Sequence, residues 1–276
     1  MPKTVLALGR VAVVTGATSG IGLAACKRFA SFGMKVCMAD ITKNELRAAS
    51  DGVAALAKNG RDDVLVHPTD VGKEEDLESL KDAVYTTFGE VGLLMNNAAT
   101  RLGSRPWKNY AQWQDTLNVN MWGVINGVHT FVPAMLEQGT RCIIVNTGSK
   151  QGITNPPGNT AYNVAKAAVK AYTEGLQHEL RSTDGCQITA HLLVPGWTTT
   201  GKREHQPGAW MPAQVIDVLI DALQREDFYI ICPDDDVTPE MDRKRILWAA
   251  GDLVDNRPAL SRWHPDYADA FEKFST

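Results

Sequence analysis

A serine, a tyrosine and a lysine occur in an order that could move a proton to and from an alcohol oxygen. Ser149 follows an apolar run typical of a strand, and Tyr162 opens a helical pattern in which Lys166 is residue i+4. Residues i and i+4 lie on one face of a helix, so the phenol and the ammonium should be neighbours. A free phenol has a pKa of about 10 and is a poor base at neutral pH. We expect Lys166 to lower the pKa of Tyr162 and make it a general acid and base, although the same pair also fits simple helix packing.

A glycine-rich turn near the start of the chain could bind a dinucleotide. The β-branched run at residues 10–15 predicts a buried strand, and a helical pattern ending at Gly33 follows the turn. Glycines let the backbone approach a pyrophosphate, and a helix N-terminus offers free N–H groups. The spacing is G-x-x-x-G-x-G, which differs from the common fingerprint. The turn residues expected at the cofactor are Gly16, Thr18, Ser19, Gly20, Ile21 and Gly22.

The next predicted strand, at residues 35–39, ends at Asp40. A carboxylate at this place accepts hydrogen bonds from the adenosine ribose and repels a 2′-phosphate, although it could also be a simple helix cap. Thr18 and Ser19 in the turn are uncharged, and we expect the nearby Lys43 to face solvent. The sequence therefore predicts NAD rather than NADP.

Strands and helices alternate along most of the chain, which indicates an α/β fold of the Rossmann type. We expect one domain over residues 1–276, with a doubly wound, mainly parallel sheet of seven strands and helices on both faces. Ligands bind such sheets at the carboxyl ends of the strands, which places Asp70, Asn97 and Ala98 beside a dinucleotide.

The helix predicted over residues 110–136 contains two asparagines, Asn118 and Asn120. The asparagine side chain competes for backbone hydrogen bonds and is unfavourable inside a helix. Residues that disfavour the helix in which they occur suggest a functional site. Asn120 could hold a water against the lysine; it could equally be exposed or hydrogen-bonded to the protein.

Composition limits the possible classes of protein. The 276 residues are 44% hydrophobic and 22% charged with a net charge of −4, which is typical of a soluble globular protein and disfavours nucleic-acid binding. No stretch is long and apolar enough to span a membrane. The five scattered cysteines are expected to be reduced and mostly buried, and no His/Cys/Asp spacing predicts a metal site. A cytoplasmic protein is therefore expected.

Taken together, the motifs resemble the short-chain dehydrogenase/reductase family, in its shorter single-domain branch. The resemblance covers residues 8–232, with the motifs in the family's order: Thr15-Gly16-x-x-x-Gly20-Ile21-Gly22, Asp40, Asp70-Val71, Asn96-Asn97-Ala98, Asn120, Ser149, Tyr162-x-x-x-Lys166 and Pro195-Gly196. The chain departs from the pattern at Ala99, where glycine is usual, and at Gly148, where a second serine is common.

The resemblance implies hydride transfer between an alcohol carbon and a nicotinamide. Tyr162 would be the acid and base, Ser149 would hydrogen-bond the substrate oxygen, Lys166 would bind the nicotinamide ribose, and Asn120 would carry a relay water. It also implies further contacts to the cofactor, from Ile41, Val71, Ala99, Tyr162, Pro195, Gly196, Trp197 and Thr198.

The substrate is expected to be a hydrophobic or aromatic secondary alcohol or its ketone. Residues 196–211 resemble a lid, and the aromatic and apolar residues expected near it are Trp107, Trp197, Trp210 and Met211. One carboxylate could be received by a basic residue: Arg101, Arg105, Lys202 or Arg203. Alternatives are a carbonyl reductase of the 3-oxoacyl type, an epimerase or dehydratase of the extended branch, and a cofactor-binding regulator without catalysis.

Residues 237–276 form a C-terminal extension that exceeds what the sheet requires. The resemblance implies a homodimer or homotetramer built on helices that flank the Tyr162 segment. We expect the extension to lie across a subunit interface or at the mouth of the active site.

Overall fold

The computed structural model describes residues 5–200 and 204–275, and its centre is a parallel sheet of seven strands, as predicted. The strands are β1 Val11–Thr15, β2 Lys35–Asp40, β3 Val64–Pro68, β4 Leu93–Asn96, β5 Cys142–Thr147, β6 Ile188–Val194 and β7 Tyr229–Ile231. Their order is β3-β2-β1-β4-β5-β6-β7, and every pairing is parallel. The order reverses at β1, so a crevice opens at the carboxyl ends of β1 and β4.

Helices cover both faces of the sheet, because its strands are apolar on both sides. The helices before the C-terminal extension are α1 Gly20–Ser31, α2 Lys43–Ala54, α3 Glu74–Phe88, α4 Tyr110–Leu117, α5 Gly123–Gln138, α6 Gln151–Thr154, α7 Thr160–Ser182 and α8 Pro212–Arg225. Phe29, Leu46 and Leu219 bury α1, α2 and α8 against one face. Leu80 and Phe131 bury α3 and α5 against the other, where α7 also packs.

The helix predicted over residues 110–136 is continuous but not regular. A π-helical turn, Asn118–Trp122, separates α4 from α5. Such a turn inserts an extra residue into the helical register and is frequent at functional sites. It explains why two asparagines are tolerated here, since the strict α-helical pattern is interrupted where they occur.

The C-terminal extension is folded. It contains α9 Pro239–Val254, two 3₁₀ turns at Ser261–Trp263 and Pro265–Tyr267, and α10 Ala268–Lys273. Trp248 of α9 is buried, and its indole Nε1 donates to Ser261 Oγ at 2.8 Å. The Arg257 guanidinium lies 4.1 Å from the Trp248 ring, and the Phe271 ring meets it edge-on at 5.3 Å. These contacts hold α9 against the turns and the short helix that follow it.

All five cysteines are free thiols, and four of them are buried, as expected. Within the described part of the chain, none of the helices combines the length and apolar character that a membrane crossing needs.

Candidate active site

The glycine turn between β1 and α1 is packed too tightly for side chains. Gly16 has a φ of +68°, and a Cβ added there would lie 2.8 Å from Ala98 Cα. A Cβ on Gly22 would lie 2.1 Å from the Gly16 carbonyl oxygen. Ser19, the residue before α1, makes no side-chain cap, so the backbone N–H groups at the start of α1 are left for another acceptor. The turn therefore fits a pyrophosphate.

The ends of β1 and β4 are joined by side-chain hydrogen bonds. Thr15 Oγ1 accepts the backbone N–H groups of Asn97 at 2.9 Å and Ala98 at 3.1 Å. The Asn97 amide donates in return to the Thr15 carbonyl at 3.0 Å. These contacts hold the crevice open at the place predicted for a dinucleotide, with the exposed Ala99 just beyond it.

Asp40 faces the glycine turn from the end of β2. Its Oδ2 accepts hydrogen bonds from the Thr18 backbone N–H at 3.0 Å and the Thr18 hydroxyl at 2.7 Å. Ile41 beside it is 67% exposed, and Lys43 is exposed as predicted. The crevice thus has a carboxylate acceptor at one end of the glycine turn, where an adenosine ribose would lie.

Two further predicted cofactor residues follow β3. Asp70 Oδ1 accepts the Gly72 backbone N–H at 3.0 Å, which forms a turn leading toward α3. Val71 is buried, and its side chain lies against Gly123. Ile21 of α1 is also buried. Both side chains are therefore mostly covered by the protein and could offer little surface to a ligand.

Ser149, Tyr162 and Lys166 are brought together as predicted, because the end of β5 faces the start of α7. The Ser149 hydroxyl hydrogen-bonds Tyr162, and its Oγ accepts the Gln151 backbone N–H at 3.2 Å. Lys166 is buried, and its Nζ donates to the Thr147 carbonyl at 2.7 Å. The three side chains converge at the carboxyl edge of the sheet.

The prediction that Lys166 lowers the pKa of the phenol is wrong. Burial raises the pKa of Tyr162, and the Ser149 hydrogen bond and the Arg101 charge only partly oppose this effect. The Lys166 ammonium points to the Thr147 carbonyl and lies 5.7 Å from the centre of the Tyr162 ring. Burial also lowers the pKa of Lys166 itself, to about 8. The i, i+4 spacing brought the side chains together but did not fix where the ammonium points.

Arg101 is the cation that opposes the rise in the Tyr162 pKa. Its guanidinium lies 5.7 Å from the centre of the tyrosine ring, on the loop after β4. The sequence indicated Arg101 only as a partner for a carboxylate. Its place over the ring depends on the path of that loop, which no periodic pattern in the sequence specifies.

Replacing Arg101 with glutamine is expected to shift the pH dependence of turnover. A tyrosine that takes a proton from an alcohol must be ionised, so the rate of the expected alcohol oxidation should rise with pH, and loss of the positive charge should raise the pKa of Tyr162 further. The rising limb of kcat against pH should then move to higher pH, which initial rates across the alkaline range will measure. Arg105→Gln, on the same loop, is the control, and an unmoved limb in Arg101→Gln would contradict this role.

Asn120 is fully buried and holds the loop that carries Arg101. Its side-chain amide donates to the Thr100 carbonyl at 2.8 Å and accepts the Thr100 backbone N–H at 2.9 Å. Both groups of the amide are therefore used by the protein. One amide hydrogen and one lone pair of the amide oxygen are not used by these two bonds.

The residues after β6 form one side of the cleft. Pro195 is buried, the Trp197 backbone N–H donates to Asp234 Oδ2 at 2.9 Å, and Thr198 Oγ1 donates to the Gly196 carbonyl at 3.2 Å. The Trp210 backbone N–H donates to the Trp197 carbonyl at 2.8 Å, which joins two described residues near the ends of the predicted lid.

Of the other residues predicted near the lid or the substrate, two apolar residues are exposed and two basic residues lie outside the described residues. The Trp107 side chain is 74% exposed and Met211 is 48% exposed, so they are weak candidates for a pocket wall. Lys202 and Arg203 lie outside the described residues.

The departure at Gly148 has a steric explanation. A Cβ added there would lie 3.1 Å from Leu192 Cδ1, so a serine would require Leu192 to move. Ser149 keeps its place as the hydroxyl donor.

Comparisons with known proteins agree with this geometry. The family model described as short chain dehydrogenase matches residues 10–208. An uncharacterised oxidoreductase of Staphylococcus aureus (strain MRSA252) is 34% identical over 192 residues, which are 69% of this chain and 79% of the relative.

Two solved structures extend the comparison. A short-chain dehydrogenase/reductase from Burkholderia phymatum, in complex with NAD, is 31% identical with a TM-score of 0.82 and covers 91% of this chain and 96% of its own. A structure described as a putative short-chain dehydrogenase from Novosphingobium aromaticivorans is 28% identical with a TM-score of 0.78, over 97% of this chain and 95% of its own. The second likeness spans the sheet and most of the C-terminal extension.

Proposed function

The chain belongs to the short-chain dehydrogenase family, as an oxidoreductase that uses a nicotinamide cofactor, and we propose that it interconverts a hydrophobic or aromatic secondary alcohol and its ketone. The observation that carries the proposal is the convergence of Ser149, Tyr162 and Lys166 beside the dinucleotide crevice. A hydroxyl, a phenol and a buried amine at one point are suited to proton transfer at a substrate oxygen.

Tyr162 is proposed to move the proton. In alcohol oxidation its ionised oxygen takes the hydroxyl proton of the substrate, and in ketone reduction its phenol returns that proton. Ser149 donates a hydrogen bond to the same substrate oxygen and so stabilises the charge that develops there. The nicotinamide, when bound, supplies or accepts the hydride. The raised pKa of Tyr162 favours the phenol at neutral pH, which suits reduction.

Lys166 and Asn120 are proposed to support this proton transfer. The Lys166 ammonium donates to the Thr147 carbonyl and is proposed to bind the nicotinamide ribose as well. Its pKa of about 8 leaves it mainly charged at neutral pH. Asn120 is proposed to hold a relay water near the lysine, while its side chain also bonds Thr100.

The proposed cofactor is NAD. The glycine turn offers backbone N–H groups, Asp40 offers a carboxylate to the adenosine ribose, and Thr18 and Ser19 bring no positive charge that would attract a 2′-phosphate. We assign the remaining predicted contacts to Asp70, Asn97 and Ala98 along the crevice and to residues 195–198 beside the nicotinamide.

The test is a panel of secondary alcohols with NAD⁺, followed by the near-ultraviolet absorbance of the reduced nicotinamide. Aromatic and long-chain apolar alcohols should be oxidised, and the matching ketones should oxidise NADH. Good activity on sugars with none on any apolar alcohol would remove the proposed substrate class.

We further propose one domain, closed by a lid at residues 196–211, that works in the cytoplasm as a homodimer or homotetramer. Trp122 is 49% exposed and Val164 is 44% exposed, on the neighbouring π-helical turn and α7. Exposed apolar side chains on adjacent helices are typical of a surface covered by another subunit.

Light scattering is expected to give two or four times the chain mass of 30.1 kDa at micromolar concentration. Trp122→Lys should move the mass toward the monomer, because a charge would be buried in the interface. Trp107→Lys, a change of the same kind at a more exposed loop residue, should not. A monomer mass for the unaltered protein would refute the assembly.

A further inference from the structure

A cavity of about 350 Å³ lies beside the catalytic serine. Gln151 and Thr154, from the segment directly after Ser149, form part of its wall, and the Gln151 backbone N–H donates to Ser149 Oγ. The exposed ring of Trp197 contributes from the lid. The wall of the cavity thus includes residues that follow Ser149 closely in the chain.

The C-terminal extension supplies the opposite wall of this cavity. Arg245 comes from α9, and Arg262 and Trp263 come from the 3₁₀ turn that follows it. The turn is held rigidly, since Ser261 Oγ donates to Asp252 at 2.5 Å and accepts the Trp248 indole N–H. The Arg262 guanidinium lies 4.7 Å from the centre of the Trp263 ring. The wall is thus preformed, with two cations and an aromatic face.

Neither guanidinium forms a salt bridge with a described carboxylate, and Asp242 is the acidic group whose charge interacts with Arg245. Burial and the charge of the nearby Arg245 together lower the pKa of Arg262 to about 10. Arg245 Nε is buried and has no hydrogen-bond partner there. Two like charges brought together without a salt-bridge partner are unfavourable unless an anion neutralises them.

The acidic groups near the cavity are engaged elsewhere or face solvent. Asp234 accepts from the Trp197 backbone N–H and lies 3.4 Å from the Lys150 ammonium, and Asp242 pairs with the same ammonium at 2.6 Å. Asp236, also on the wall, is exposed. The two guanidiniums are therefore the cations of the wall that no described carboxylate holds in a salt bridge.

We propose that this cavity binds the anionic end of the substrate, with Arg245 and Arg262 holding a carboxylate and Trp197 and Trp263 enclosing the apolar or aromatic body next to it. The inference rests on the proposed function, because the reacting alcohol carbon of the same molecule would lie toward Ser149 and Tyr162. It narrows the substrate class to a hydroxy or keto acid with an apolar or aromatic body. Guanidinium groups suit this role because they bind carboxylates through paired N–H donors.

The first experiment compares α-methylbenzyl alcohol with derivatives that carry a carboxylate on the ring, directly or through a short chain. The unaltered enzyme should prefer at least one carboxylated alcohol by roughly 10- to 100-fold in kcat/KM, the range expected for charge-assisted hydrogen bonds. Arg245→Gln and Arg262→Gln, measured separately, should reduce this preference by raising KM for the carboxylated alcohol. Arg243→Gln, which removes the same charge from an exposed residue of α9, should keep it.

The second experiment does not depend on turnover. Isothermal titration should detect binding of benzoate and no binding of the neutral benzamide. Arg262→Gln should lower the affinity for benzoate by roughly tenfold or more, as expected for the loss of a charge-assisted hydrogen bond. Benzoate binding without turnover of any alcohol would support the cavity and refute the proposed function. Turnover of the neutral alcohol with no preference for a carboxylate and no benzoate binding would overturn the inference and leave the function intact.

Discussion

Replacing Tyr162 with phenylalanine is expected to lower kcat by roughly 10³-fold, the usual contribution of a general acid or base. The change removes only the phenolic oxygen, which hydrogen-bonds Ser149 and is the proposed proton donor and acceptor. The ring stays between Arg101 and Lys166, so cofactor affinity should change far less than kcat. Initial rates in both directions, with a titration of NADH fluorescence for binding, will separate the two effects.

Tyr172→Phe is the matched control, because Tyr172 is a partly buried tyrosine on the same helix. It should retain nearly full activity. A Tyr162→Phe enzyme that keeps more than about a tenth of the normal kcat would show that another group transfers the proton, since a general acid or base is worth far more than that. Normal cellular function with Tyr162→Phe would instead favour a cofactor-binding regulator without catalysis.

The unaltered enzyme is expected to prefer NAD⁺ over NADP⁺ by about 100-fold or more in kcat/KM. At a separation of about 4 Å, two unit charges repel by roughly 1 kcal/mol in water and about 4 kcal/mol near a protein surface. A 2′-phosphate carries nearly two negative charges, so its repulsion from Asp40 should lower kcat/KM for NADP⁺ by at least about 100-fold. Asp40→Asn keeps an oxygen acceptor for Thr18 and should reduce the preference mainly by improving NADP⁺.

Asp51→Asn on α2 is the control for this change. Asp51 is an exposed carboxylate that pairs with Arg61, so the same charge is removed away from the crevice. It should leave the cofactor preference unchanged. A preference for NADP⁺ in the unaltered enzyme would overturn the assignment of Asp40 as the ribose partner.

Most of the fold was predictable because its signals are local. The β-branched strands, the glycine turn and the helical patterns each depend on a few neighbouring residues, and the parallel sheet follows from their alternation. The meeting of Ser149 with Tyr162 was predictable for the same reason, since strand ends in such a sheet share one edge.

The remaining features depend on contacts between distant parts of the chain. Arg101 reaches Tyr162 only because Asn120 holds Thr100, and that bond joins a loop to a π-helical turn. The pKa of Tyr162 is set by burial, which the i, i+4 spacing could not reveal. Arg262 meets the cleft only because Ser261 is fixed beneath Trp248. The sequence predicted only that the extension could lie at the mouth of the active site.

The most direct test of the central claim uses α-methylbenzyl alcohol, or its preferred relative from the panel, with deuterium on the carbinol carbon. The enzyme is incubated with this alcohol and NAD⁺, and the nicotinamide product is analysed by mass spectrometry. Direct hydride transfer beside Tyr162 predicts reduced cofactor that carries the deuterium, together with the ketone, and predicts almost none with Tyr162→Phe. Bound NAD⁺ that is never reduced by any secondary alcohol, with NADH never oxidised by any ketone, would contradict the account.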